Sequence, residues 1–160
     1  MRSRGWLLLL MMFALHCHAQ TACPWVNQAT VTDSPDGAVR EAHTSVAADG
    51  NRCTFDYRDG EAAYSVEIAV QGVPDHGSNS TQPEVQCASP KTPLIGIGNE
   101  AAVCSIGAHR MHGAQVMGRV RDKSFFVIVR SHGDPDTPAV RQQLSEKTIL
   151  IAEQVVGNLF

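Results

Sequence analysis

The sequence predicts an α+β domain. It has an antiparallel sheet built from two three-stranded meanders, a short N-terminal helix and a long C-terminal helix packed on that sheet, and two disulfides. Three observations carry this expectation. Two Asp-Gly pairs, Asp49-Gly50 and Asp59-Gly60, sit between alternating apolar segments, the local signature of tight turns joining antiparallel strands. A capped segment near the C-terminus repeats its apolar residues at helical spacing. Four cysteines, Cys23, Cys53, Cys87 and Cys104, follow an N-terminal export signal.

That signal occupies residues 1–19. Arg2 and Arg4 form a positive start, and Trp6 to Leu15 form an apolar run of ten residues. A bilayer needs about 20 apolar residues for a helical span, so the run fits a cleaved leader better than a membrane anchor. Cleavage after Ala19 places Cys17 and Ala19 at the −3 and −1 positions and leaves residues 20–160 as one domain. It removes Arg2, Arg4 and Cys17, leaving 11 basic against 16 acidic residues, a formal charge of −5 and an even number of cysteines. Acylation at Cys17 or Cys23 is the competing reading. His16 spoils the residues before Cys17, and Cys23 lies too far beyond the apolar run. The reading therefore expects a secreted or periplasmic protein with no transmembrane segment after cleavage. An acidic balance argues against nucleic acid as a partner, which requires a basic field.

A short helix is expected near Pro24 to Thr32. The first meander follows. Counting from Asp49-Gly50 pairs Val46 with Cys53, Thr44 with Phe55 and Ala42 with Tyr57, and on the other face Glu41 with Arg58 and His43 with Asp56. Counting from Asp59-Gly60 pairs Cys53 with Val66, Phe55 with Tyr64 and Tyr57 with Ala62, with Arg52 against Glu67 and Arg58 against Glu61 behind them. Apolar groups meet on one face and opposite charges on the other, each such pair contributing about 0.2–1 kcal/mol. Residues 72–99, rich in Gly, Pro, Ser and Asn, read as a connection with one turn of helix near Glu84 to Cys87.

The second meander opens with a strand over Ala101 to Ile106. A turn at Asp122-Lys123 then pairs Val120 with Phe125, Gly118 with Val127 and Val116 with Val129. On the other face it pairs Met117 with Ile128, Arg119 with Phe126 and Gln115 with Arg130. Apolar residues on both faces predict a hairpin covered on both sides. Asp136-Thr137-Pro138 supplies a cap and a first-turn proline. Val140, Leu144, Ile151, Val155 and Leu159 then mark the helix, with Gly157 near its stop.

Four cysteines allow three connectivities. Each half of the domain holds two, which favours Cys23–Cys53 and Cys87–Cys104. Cys53 lies on the core face, so a bridge to Cys23 would pin the N-terminal helix to the sheet.

Candidate chemistry is sparse. Among the five histidines that cleavage would leave, His109 and His112 are the one close pair and the candidate metal ligands, though no acidic or cysteine ligand lies beside them. Solvated loop histidines are the blander alternative, and no cofactor is assigned. Cys104 beside His109 would make a thiol nucleophile only if reduced. Arg119, Arg121 and Arg130, counted onto one face of a hairpin, are the candidate binding residues for a phosphate, sulfate or acidic sugar. The alternative is a solvated rim in which Arg119 stacks on Phe126. No nucleophile elbow, zinc-protease, P-loop or dinucleotide motif occurs in the sequence.

Two stretches resemble known proteins. Cys23-Pro-Trp-Val-Asn-Gln-Ala-Thr is similar to the opening of small secreted bacterial proteins in which a cysteine precedes a short helix. Pro93-Leu-Ile-Gly-Ile-Gly-Asn-Glu-Ala-Ala resembles a turn found in a family of uncharacterised cell-envelope lipoproteins, mostly actinobacterial. There the turn precedes a strand, a hairpin and a final helix, which Ala152 to Phe160 would end. The lipid-attachment motif of that family is missing, and the resemblance implies no activity.

Three functions follow as expectations. The first is an exported, non-enzymatic domain binding a ligand or partner in the envelope or outside the cell. The second is a small secreted enzyme, with or without a metal, using His109 and His112. The third is a secreted inhibitor or interaction protein presenting residues 72–93.

Overall fold

The computed structural model describes residues 22–32, 40–73, 87–108 and 111–160. The proposed leader at residues 1–19 lies outside them. The elements in chain order are α1 (Gln28–Thr32), β1 (Arg40–Val46), β2 (Arg52–Asp59), β3 (Ala62–Gly72), β4 (Thr92–Leu94), β5 (Glu100–Ala108), β6 (Met111–Val120), β7 (Lys123–His132) and α2 (Pro138–Gly157). All seven strands form one antiparallel sheet in the order β1-β2-β3-β7-β6-β5-β4. The two expected meanders are thus joined edge to edge, β3 against β7. The three-residue strand β4, inside the segment expected to be a connection, is added at the far edge.

The helix α1 is shorter than expected because Asn27 caps it. The Thr30 amide donates to Asn27 Oδ1 at 2.8 Å and the Val31 amide to Asn27 O at 3.3 Å, so helix begins after Asn27 rather than at Pro24. The expected turn of helix near Glu84 to Cys87 lies almost wholly outside the described residues.

Three register details differ from counting. In the first hairpin, pairing holds from His43–Asp56 to Val46–Cys53. A bulge between Arg40 and His43 then sets Arg40 opposite Arg58, in place of the expected pairs of Glu41 and Ala42. The second hairpin is offset by two residues, with Cys53 opposite Ile68, Phe55 opposite Val66 and Tyr57 opposite Tyr64. Its turn centres on Gly60-Glu61. Gly60 alone takes a positive φ of 60°, whereas a turn centred on Asp59-Gly60 would need it at both positions. The third hairpin is offset likewise, turning at Arg121-Asp122 with Gly118 opposite Phe125 and Val116 opposite Val127. Arg121 sits at φ 53°, and its amide is held by Asn99 Oδ1 at 2.7 Å. A shift of two preserves every side chain's face, so the core survives the changed partners.

That core lies between the sheet and α2. Val66, Ile68, Val116, Val127 and Val129 from the sheet and Ile151, Ala152 and Val155 from the helix are each no more than 1% exposed. Thr137 caps α2, its side chain accepting from the Val140 amide, and the helix packs on β6 and β7. Cys23–Cys53 ties the N-terminal segment into this layer, as expected. A smaller apolar group of Ala69, Ile106, Phe126 and Ile128 covers the other face of the sheet. Cys87–Cys104, also as expected, brings residues 87–89 across that face. There the Ala88 amide donates to Ser105 O at 2.8 Å and the Ser105 amide to Ser89 Oγ at 2.9 Å. Among the described residues, no helix is long and apolar enough to cross a membrane.

Candidate functional site

The ends of β5, β6 and β7, the start of α2 and the Cys87 segment converge on a cleft of about 980 Å³. Its lining combines His112, His132, Asp134, Asp136 and Arg141 with the apolar Ala88, Ile106 and Met111. This size falls in the usual range for small-molecule pockets, roughly 300–1,000 Å³.

Asp134 is the best-anchored polar group in it. Its Oδ2 accepts one hydrogen bond from the Tyr64 hydroxyl and another from Ser131 Oγ, each at 2.6 Å. Ser131 is fully buried, and it stands opposite His112 across the β6–β7 ladder. Burial, and then the bond to Asp134, push the Tyr64 phenol up to about 12. Among the described residues Asp134 Oδ1 accepts no hydrogen bond.

Asp136 is engaged differently. Arg141 grips it in a bidentate pair, Nε to Oδ1 at 2.6 Å and one terminal nitrogen to Oδ2 at 3.1 Å. That bond chiefly, with His112 nearby, holds the Asp136 carboxyl below its ordinary range. Both partners are solvent-exposed, so the pair contributes little to stability. His112 is the odd group. It is 7% exposed, and its Nε2 is buried without a hydrogen-bond partner among the described residues. An orphaned buried nitrogen costs about 1–3 kcal/mol unless something compensates it.

No family model, curated protein or solved structure matches this chain. The site is therefore read from its own residues.

Of the two histidines singled out in the sequence, His112 lines the cleft and His109 lies outside the described residues. No group of three His, Cys, Asp or Glu residues among the described ones is placed to hold a metal ion. Cys104 is bonded to Cys87, which removes the thiol-nucleophile reading. The three arginines do not converge. Arg130 is bound to Glu67 at 3.3 Å, and Arg119 lies six residues along the hairpin from Arg130's level, about 20 Å away at strand spacing. Arg121 occupies the turn, its guanidinium over the Phe160 ring at 5.2 Å. The residues the sequence reading passed over are Tyr64, Ser131, Asp134 and Arg141. Asp136-Thr137-Pro138 is legible as a helix cap, but nothing local ties the preceding Asp134 to Tyr64, 70 residues earlier.

Proposed function

We propose that this chain is an exported, non-enzymatic domain that binds a small ligand in the cleft at the end of its sheet. The observation that carries the reading is a cleft of about 980 Å³ lined by His112, whose Nε2 is buried without a hydrogen-bond partner among the described residues. Ser131, Asp134 and Asp136, which could do nucleophilic or acid–base work, are each tied to a neighbour, leaving His112 and His132 as the imidazoles of the cleft. Ser131 is fully buried and donates a hydrogen bond to Asp134, and Asp136 is clasped by Arg141. Such an arrangement favours recognition over turnover. Export is supported by the positive, apolar start of the sequence and by two disulfides, which persist in oxidising compartments such as the periplasm or the exterior.

A test uses the purified protein against a small-molecule extract of its source's envelope and medium. Compounds retained on ultrafiltration are identified by mass spectrometry. The wild type is expected to retain at least one, and Gly107→Trp, which adds an indole to the cleft lining, to retain none. Gly107 lines the cleft, and an added Cβ there meets nothing closer than Met111 O at 3.8 Å. Equal retention by both proteins, or none by either, would overturn the reading.

The enzyme alternative draws its support from a cleft lined by both His112 and Asp136. A stoichiometric metal in the purified protein, lost on His112→Ala, would favour it. The inhibitor alternative rests on residues 72–93, of which 74–86 lie outside the described set.

A further inference from the structure

The cleft's charges point to the class of its ligand. Asp134 and Asp136 face one arginine on its walls, a formal balance of −1 with the histidines neutral. Arg141 and Asp136 satisfy each other through two hydrogen bonds. The charge left over is that of Asp134. Its carboxylate is preorganised, because Tyr64 and Ser131 both bind Oδ2, which fixes the orientation of the group and leaves Oδ1 without a donor among the described residues. His112, which lines the same cleft, has its Nε2 buried without a partner among the described residues. The lining also holds Ile106, Met111 and Ala88, apolar groups for a short carbon body.

We infer that the cleft takes a small organic cation, an ammonium or guanidinium group on a short apolar body, with Asp134 Oδ1 as its counter-charge and His112 Nε2 as a second polar contact. The inference rests on the cleft being the binding site and adds the sign and shape of what enters it. A cationic donor on an ionised acceptor forms the stronger, charge-assisted class of hydrogen bond. A bare metal ion fits less well, since no three ligating residues are gathered among the described ones. An anion would meet Asp134 directly and would have to strip Arg141 from Asp136. The fold already holds one ammonium nearby: Lys147 Nζ stands 5.0 Å from the Tyr57 ring and 5.8 Å from the Tyr64 ring, in a second cavity of about 50 Å³ that Asp134 also lines.

Four matched probes and one ion test this on the full chain by NMR: n-butylammonium, n-butylguanidinium, butyrate, n-butanol and Zn²⁺. The two cations are expected to shift the Met111 methyl and His112 ring signals at millimolar concentration, while butyrate and butanol leave them in place. Asp134→Asn keeps an amide oxygen for the Tyr64 and Ser131 hydroxyls but removes the charge. It should weaken cation binding about tenfold, as loss of one charge-assisted bond does. Tyr64→Phe, which keeps the charge but loosens the carboxylate, should weaken it by a smaller factor. Stronger binding of butyrate, capture of Zn²⁺ at His112 in preference to the amines, unchanged cation affinity in both variants, or no binding by any probe would each overturn the inference. Butyrate or zinc prevailing would leave the cleft as a binding site and remove only the sign assigned to its ligand. Failure of the cleft itself is read separately from Gly107→Trp in the extract experiment.

Discussion

The Tyr64 hydroxyl donates to Asp134 Oδ2 at 2.6 Å, linking strand β3 to the loop before α2 across 70 residues of chain. Phenol and carboxylate are coupled, and the phenol is pushed up to about 12, burial being the larger cause and the carboxylate the next. The folded state thus favours the protonated phenol. Its contribution to stability is intact below about pH 10, the ordinary tyrosine value, and is lost as pH rises through about 12. Chemical denaturation followed from neutral pH upward should show that decline. Phenolate absorbance should show Tyr64 titrating late, and Asp134→Asn should bring it part of the way back toward the ordinary value. A Tyr64 that titrates at its ordinary value in the wild type would refute the coupling.

Glu67 stands between cations from both neighbouring strands, 3.4 Å from Arg52 on β2 and 3.3 Å from Arg130 on β7. Glu67→Gln leaves two arginines facing each other across the sheet with their shared counter-charge gone. An expected loss of about 0.5–1.5 kcal/mol follows, small because Arg52 is half exposed. The loss should shrink in high salt, where exposed charges are screened. Urea denaturation at low and high ionic strength measures both effects. A loss that does not change with salt would mean that packing, not charge, holds the trio.

The disulfides close segments separated by 30 and 17 residues, each worth roughly 3 kcal/mol in the chain-entropy picture. Replacing Cys23 and Cys53 together by Ser should cost more than replacing Cys87 and Cys104. Cys53 is fully buried in the main core, whereas Cys87 is half-buried. Thermal melts of the two double variants compare them, and non-reducing peptide maps of the wild type check the pairing.

How far the sequence foretold this fold follows from which interactions are local. The α+β class, the capped C-terminal helix and the faces of β2, β3, β6 and β7 follow from periodicity and cap chemistry, written within a few residues of where they act, and both disulfides follow from an even cysteine count with two in each half. Exact partners were less legible. Gly60 and Arg121 each move a turn by one position, and the Arg121 turn depends on Asn99, 22 residues away. The Arg52–Glu67 ion pair survives its hairpin's offset because long side chains reach a diagonal neighbour. His112 was singled out from the sequence, but its cleft was not. Tyr64, Ser131, Asp134 and Arg141 carry no motif, and they meet only because β3, β7 and α2 end at the same edge of the molecule.

Gly113 supplies the sharpest test of the central hairpin. It lies on β6 opposite Arg130 of β7, and a Cβ built there would overlap Val129 O and stand 3.1 Å from Val129 C. Both atoms are backbone in the middle of the sheet, so no side chain can rotate aside. Overpacking a well-filled interior costs about 1–3 kcal/mol, and a clash with main chain belongs at or beyond the upper end. Gly113→Ala should therefore destabilise the protein by about 3 kcal/mol or more. Gly107→Ala, on the adjacent strand with only Met111 O at 3.8 Å, should cost less than about 1 kcal/mol. Gly118 is an intermediate case, since its added Cβ would meet Glu100 O at 2.7 Å and the Phe125 ring at 2.8 Å. The ring is a side chain and can shift, while the carbonyl cannot, so Gly118→Ala should fall between the other two. Denaturant midpoints of the three variants measured side by side decide the order. A Gly113→Ala protein as stable as Gly107→Ala would mean that β6 and β7 do not approach as closely as the β6–β7 register requires.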